Sequence, residues 1–95
     1  MSKARLLQIT KALADARRFD LLGHVASARG EISCIDVRAK LRAKRPISRA
    51  TMSHHIKELT TAGLIEARRE SRYMFLRMRR KTWVDYLKYL RKISL

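Results

Sequence analysis

The chain has 95 residues, 23 of them Lys or Arg and 8 Asp or Glu, for a formal net charge of +15. That length holds one domain with a modest core, and so much like charge repels itself unless a polyanion offsets it. A 46% apolar content is too high for a disordered basic tail, and the longest apolar run, Tyr73 to Leu76, is far too short to cross a membrane. Cys34 is the only cysteine, which excludes an internal disulfide framework and suits a reducing cytoplasm. The N-terminus is basic but lacks the apolar stretch of a secretory signal. No P-loop, GxGxxG, HExxH or GxSxG string occurs. The reading is therefore a non-enzyme with no cofactor, no evident small-molecule substrate and no membrane partner.

One Pro and three Gly leave little punctuation, so helix should dominate. Leu6, Ile9, Leu13 and Ala16 lie three, four and three apart, which predicts a first helix from Ser2 to about Ala14. Asp15 is a cap for a second helix, with Phe19, Leu22, Ala26 and the flanking Leu21 and Val25 as a wide apolar face ending before Gly30. Glu31 to Cys34 is a short strand stub. Ile35, Val37 and Leu41 start a basic third helix, with Arg38, Lys40, Arg42 and Lys44 beside them, and Pro46 stops it. Ser48 caps a fourth helix, Arg49 to Ala62, closed by Gly63.

Beyond Gly63 the apolar period changes from about 3.6 to 2. Met74, Leu76 and Met78 alternate with Tyr73, Phe75 and Arg77, and Leu64 to Arg69 supplies the partner of a β-hairpin with Glu70, Ser71 and Arg72 at its tip. From Arg80 helical spacing returns through Trp83, Tyr86, Leu90 and Ile93, with Leu87 beside them. The fold class is mainly α (α+β), a winged helix-turn-helix of about five helices with a β-hairpin wing. Residues 1–95 form one domain, with the terminal helices as a dimer interface.

The fourth helix carries the functional signal. Met52, Ile56 and Leu59 share one side, while Ala50, Ser53, His54, Lys57 and Thr61 share the other, and Arg49 stands on the first turn. The outward set is short, polar or basic and contains no acid, as a helix entering a major groove requires. Arg42, Lys44, Arg45 and Arg49 lie around the turn that leads into it and Arg68, Arg69 and Arg72 follow it, placing basic groups on both sides for phosphate contacts. An ordinary solvated polar face is the plain alternative; the flanking arginines favour double-stranded DNA.

Three strings carry a resemblance. Ala12-Leu-Ala-Asp-Ala-Arg-Arg-Phe-Asp-Leu-Leu resembles the opening of the second helix in the ArsR (arsenic-repressor) family of bacterial transcriptional regulators. Ser48-Arg-Ala-Thr-Met-Ser-His-His-Ile-Lys-Glu-Leu-Thr-Thr-Ala-Gly-Leu-Ile resembles that family's recognition helix, and Arg68-Arg-Glu-Ser-Arg-Tyr-Met-Phe-Leu-Arg-Met its wing. The resemblance runs from Ala12 to Met78. It implies a homodimer paired through its first and last helices that binds an inverted-repeat operator and represses transcription. It puts base contacts on Arg49, Ala50, Ser53 and His54, to which position adds Ser48 and Lys57. Arg68, Arg69 and Arg72 are the wing contacts, and Leu6, Ile9, Leu13, Trp83, Tyr86, Leu87, Leu90 and Ile93 the dimer contacts.

Three departures accompany the resemblance. Soft-metal sensors of the family carry cysteines at positions matching Ser33 and Ile35, and the last helix here has Asp85 but no His. One thiol cannot close a tetrahedral site, so no metal site is expected. The turn Arg42 to Ile47 is longer than the family's and very basic. Ser71 stands where a tip glycine is expected, which suggests a turn type without positive φ. Adjacent His54 and His55 point about 100° apart on a helix and suit groove contact and core packing better than one metal. Cys34 reads as a small buried hydrophobe rather than a redox sensor. A metal- or redox-responsive regulator of the same fold, and a non-specific RNA-binding or nucleoid protein, are the rival readings.

Overall fold

The structure, a computed structural model, describes residues 1–94. In chain order the elements are α1 (Lys3–Leu13), α2 (Ala16–Ser27), β1 (Ile32–Ser33), α3 (Cys34–Arg42), α4 (Arg49–Thr61), β2 (Ile65–Glu70), β3 (Tyr73–Met78) and α5 (Arg80–Ser94). The first four helices start for one reason. Ser2, Asp15, Ser33 and Ser48 sit in extended backbone, and each side-chain oxygen accepts the amide three residues on, from Arg5, Arg18, Asp36 and Thr51. Each such cap stabilises its helix by about 1 kcal/mol.

The sheet order is β1-β3-β2, all antiparallel, with Ile65 opposite Met78, Ala67 opposite Leu76 and Arg69 opposite Met74. The stub β1 pairs Ile32 with Leu76, fastening the start of α3 to the wing. Leu21 and Val25 of α2, Val37 of α3, Leu59 of α4, and Leu64, Ile65 and Leu76 meet in one fully buried core. That core fixes the angle between α3, α4 and the hairpin, and therefore which side chains the molecule presents together.

Two expectations about apolar faces change. Phe19 is 57% exposed and Ala26 is also exposed; the buried stripe of α2 is Arg18, Leu21, Leu22 and Val25, the spacing one helix face requires. Buried Arg18 is satisfied because its Nε donates to the Ala12 carbonyl at 2.7 Å, at the end of α1. The α1 stripe is likewise not an open face. Leu6 and Ile9 are buried in the protomer's own core, and Leu13 is half-buried against it. Arg5 of α1 lies over Gly63 and donates to the Thr61 carbonyl, docking α1 on the end of α4. Gly63 has φ 75°, and a side chain there would strike the Arg5 guanidinium.

On α5, Tyr86 is buried, donating to or accepting from Thr10 at 2.8 Å, and Trp83 packs edge-on to it. Leu87, Leu90 and Ile93 remain exposed, at 56%, 37% and 64%. The apolar stripe of α5 is thus divided: its first half belongs to the protomer core, its second half faces out.

The wing tip differs from expectation too. Ser71 takes φ 56°, so the turn keeps the positive φ usually given to glycine. A two-residue connection between β2 and β3 needs such a residue for its twist to match that of the strands.

Candidate nucleic-acid interface

The α4 helix has one buried and one open side. Met52, His55, Ile56 and Leu59 point into the core. Arg49, Ala50, Ser53, His54, Lys57 and Thr61 are exposed, as is Thr51. Ser48 has a specific local task. Its Oγ accepts the Thr51 amide at 3.1 Å and donates to Thr51 Oγ1 at 2.9 Å, which leaves it a helix cap rather than a free side chain. His55 sits beneath the helix at 5% exposure, and its Nδ1 has no hydrogen-bond partner. Burial holds its pKa below the ordinary value, against the pull of the Asp15 carboxylate, so it is a neutral core group. Neither histidine stands in a cluster of ligating side chains among the described residues.

The hairpin register separates the three wing arginines. Ile65, Ala67 and Arg69 share the face of Met74, Leu76 and Met78, which looks toward α3 and α4; Glu66, Arg68 and Glu70 share the outer face with Tyr73, Phe75 and Arg77. Arg68 is already engaged there. Its guanidinium makes two 2.9 Å bonds to the Glu31 carboxylate, lies 3.6 Å from Glu70 and covers the Phe75 ring. The fork holds Glu31 below the usual carboxylate range. Arg77 lies 3.1 Å and Arg79 3.5 Å from the two oxygens of the Glu66 carboxylate. Arg69 and Arg72 have no carboxylate partner among the described residues; Arg72 instead stacks on the Tyr73 ring.

Arg69 and Arg72 line one cleft with Arg49 and Ser53 of α4 and Arg38 and Arg42 of α3. The structure therefore brings Arg49, Ser53, Arg69 and Arg72 together and sets Arg68 apart. Sequence alone missed this because a hairpin's facing is set by its register, and the period of 2 shows only that Arg68 and Arg69 differ. Cys34 lies in the same cleft. Burial raises its thiol pKa despite the Arg69 charge, so it stays protonated, and its neighbours Ser33 and Ile35 offer no second thiolate.

The long turn before α4 is held from both sides. Arg38 of α3 donates twice to the Ile47 carbonyl, at 3.3 and 3.1 Å, and Arg17 of α2 donates to the Arg45 carbonyl at 2.8 Å. Buried Ile47 anchors it to the core. Arg42, Lys44 and Arg45 are left exposed at the entrance to α4.

A polar helix face held between a tethered basic turn and an arginine-bearing hairpin defines a winged helix-turn-helix DNA-binding domain. No family model matches the chain. Over 80 residues it is 35% identical to YceK of Bacillus subtilis (strain 168), an uncharacterized HTH-type transcriptional regulator, spanning 84% of this chain and 76% of that one. An ArsR-like transcriptional regulator from Rhodococcus sp. RHA1 superimposes with TM-score 0.75 at 24% identity, covering 96% of this chain and 80% of that one. HlyU from Vibrio cholerae N16961 gives 0.63 at 26%, covering 82% and 80%. A homodimeric winged helix-turn-helix DNA-binding domain from Mycobacterium bovis gives 0.69 at 24%, covering 96% and 76%. The chain belongs to the HTH-type transcriptional regulators, and its fold is the winged helix-turn-helix that ArsR-like regulators share. Cys34 is its one cysteine.

Proposed function

We propose that the protein is a homodimeric repressor of the cytoplasm that binds an inverted-repeat operator. The observation that carries this reading is the open side of α4, which holds no carboxylate and is bordered by Arg49, Arg69 and Arg72. Arg49, Ala50, Ser53, His54 and Lys57 enter the major groove. Arg49, on the first turn, reaches a guanine edge, and Ala50 and Ser53 are small enough to let the backbone approach the bases. Arg69 and Arg72 hold phosphates on the wing side, and Arg42, Lys44 and Arg45 hold them on the turn side. Ser48 fixes the helix start that aims these residues. The homodimer forms through the exposed half of α5, with Leu87, Leu90 and Ile93 against their counterparts; the homodimeric state of the Mycobacterium bovis domain supports this. Repression follows where such an operator overlaps a promoter.

Selection of bound sequences from a random DNA pool tests the reading. The expected result is an enriched palindrome whose half-site centres lie about one helical turn, or a multiple of it, apart. Arg49→Ala should then cost roughly 1–3 kcal/mol on the selected site and relax preference at one position of each half-site. Equal loss on selected and scrambled DNA would show that α4 does not read sequence.

A further inference from the structure

The cleft between α3, the start of α4 and the wing has walls that phosphate binding does not explain. Its volume is about 930 Å³, the size of a small-ligand site, and it is open to solvent. Its floor is apolar, formed by Cys34, Met52 and Met74. Its rim is cationic, with Arg49, Arg69 and Arg72, and no carboxylate lines it. A DNA backbone passing over this face satisfies the rim but makes no apolar contact with the cleft-facing parts of half-buried Cys34 and Met74. A molecule with an apolar body and one anionic end satisfies both at once: the body covers the methionine methyls, and the anion takes a forked bond from an arginine.

We propose that this cleft binds an amphipathic organic carboxylate, and that its occupation excludes DNA. The ligand class follows from the charge and floor of the cleft. Exclusion of DNA rests on the function proposed above, because it requires that Arg49, Arg69 and Arg72 be the groups DNA also uses. One ligand carboxylate need not match the phosphates it displaces in number. It occupies the arginines at the centre of the face, and its body stands where the groove would close over α4.

The four methionines are Met1, Met52, Met74 and Met78, and only the second and third line the cleft. Methyl NMR of protein labelled with carbon-13 at its methionine methyls therefore has built-in controls. The probe is 2-naphthoate, without DNA, compared with neutral naphthalene-2-methanol and with acetate. The expected result is saturable shifts at Met52 and Met74, with Met1 and Met78 unmoved, and binding about tenfold tighter than for either comparison compound. Arg69→Ala should weaken the naphthoate by about tenfold, a loss of about 1.4 kcal/mol. No shift at millimolar probe, shifts centred on Met78, or equal binding of the neutral compound would overturn the site. Fluorescence anisotropy of a labelled duplex then follows DNA release as naphthoate is added. Methionine shifts with undiminished DNA binding would overturn exclusion while leaving DNA binding intact. Methionine shifts in a protein that binds no duplex would instead refute the proposed function and leave the ligand site standing.

Discussion

Arg68 and Arg69 are neighbours in sequence, equal in charge and similar in exposure, yet the hairpin register gives them opposite roles. Arg69 looks toward α4 and carries no carboxylate partner, while Arg68 is forked onto Glu31 on the far face. Replacing each in turn with Ala removes the same formal charge, so any difference between the variants reports geometry rather than net charge. A lost phosphate contact lowers the slope of log affinity against log salt by about 0.9, so a dimer lacking Arg69 should lose about 1.8. Between about 50 and about 200 mM salt, this means that wild-type affinity should fall about tenfold more than that of Arg69→Ala. Arg68→Ala should shift overall affinity modestly through the long-range field and leave the slope within about 0.5 of wild type. Fluorescence anisotropy of a labelled duplex across a salt series reads both numbers. If Arg68→Ala lowers the slope as much as Arg69→Ala, the outer face of the wing meets DNA and the assignment from register is wrong.

Three further outcomes follow from other parts of the molecule. Leu90→Asp should give a folded monomer, seen as a halved mass in sedimentation with unchanged helical circular dichroism, because Leu90 is 37% exposed in the protomer and its loss leaves the core intact; a variant that stays dimeric would move the seam off α5. His55 has a folded pKa below its ordinary 6.5, so the unfolded chain binds the extra proton first; stability is full above about 6.5 and falls as pH drops through the lower folded value. Asp15, held below its ordinary 3.8 chiefly by the Arg18 amide, titrates well below this range, so His55→Leu should flatten the fall in stability that sets in below about pH 6.5 in urea titrations, and an unchanged profile would show that another group sets it. Ser71→Gly should raise stability by about 0.5–1 kcal/mol in thermal unfolding by removing the left-handed strain at φ 56°; a lower midpoint would mean that the serine is compensated elsewhere.

The elements were legible in the sequence wherever a local signal stood alone. Asp15 and Ser48 announce helix starts because a capping oxygen acts within three residues, and both caps are present. The change of apolar period after Gly63 located the hairpin for the same reason. The failures came where the deciding partner is distant. Phe19 looks like core by composition, but Leu22 and Val25 take the inner stripe and leave it at the surface. The Leu6 and Ile9 stripe gives no sign of whether it faces its own chain or a second copy; its burial comes from how α1 docks over Gly63 and Tyr86. Ser71 was expected to alter the turn, yet the strands on either side impose the left-handed conformation on it. The candidate site showed the same division. The facing of α4 followed from its period, whereas the separation of Arg68 from Arg69 needed Glu31, a residue 37 positions away.

With 23 basic residues in 95, positive charge lies nearly everywhere, so its presence does not define a binding face. The placement of the 8 acids does. Glu31, Glu66 and Glu70 take part in every ion pair among the described residues, and all their arginine partners, Arg68, Arg77 and Arg79, lie on or just beyond the outer strand faces. Asp15 is spent on a helix cap. The wing's inner face and the open side of α4 are thereby left with uncompensated arginines, while the outer face is locally neutralised. That asymmetry gives the domain a direction. A polyanion that meets this face contacts arginines for which no carboxylate competes, whereas on the outer wing face it must break the Arg68–Glu31 or the Glu66 pairs first. Reversing the polarity of the wing, by exchanging Arg69 with Glu70, should therefore cost more DNA affinity than the Arg69→Ala change, although the net charge is unaltered. No loss from the exchange, beside a clear loss from Arg69→Ala, would mean that total charge, and not its arrangement around α4, governs binding.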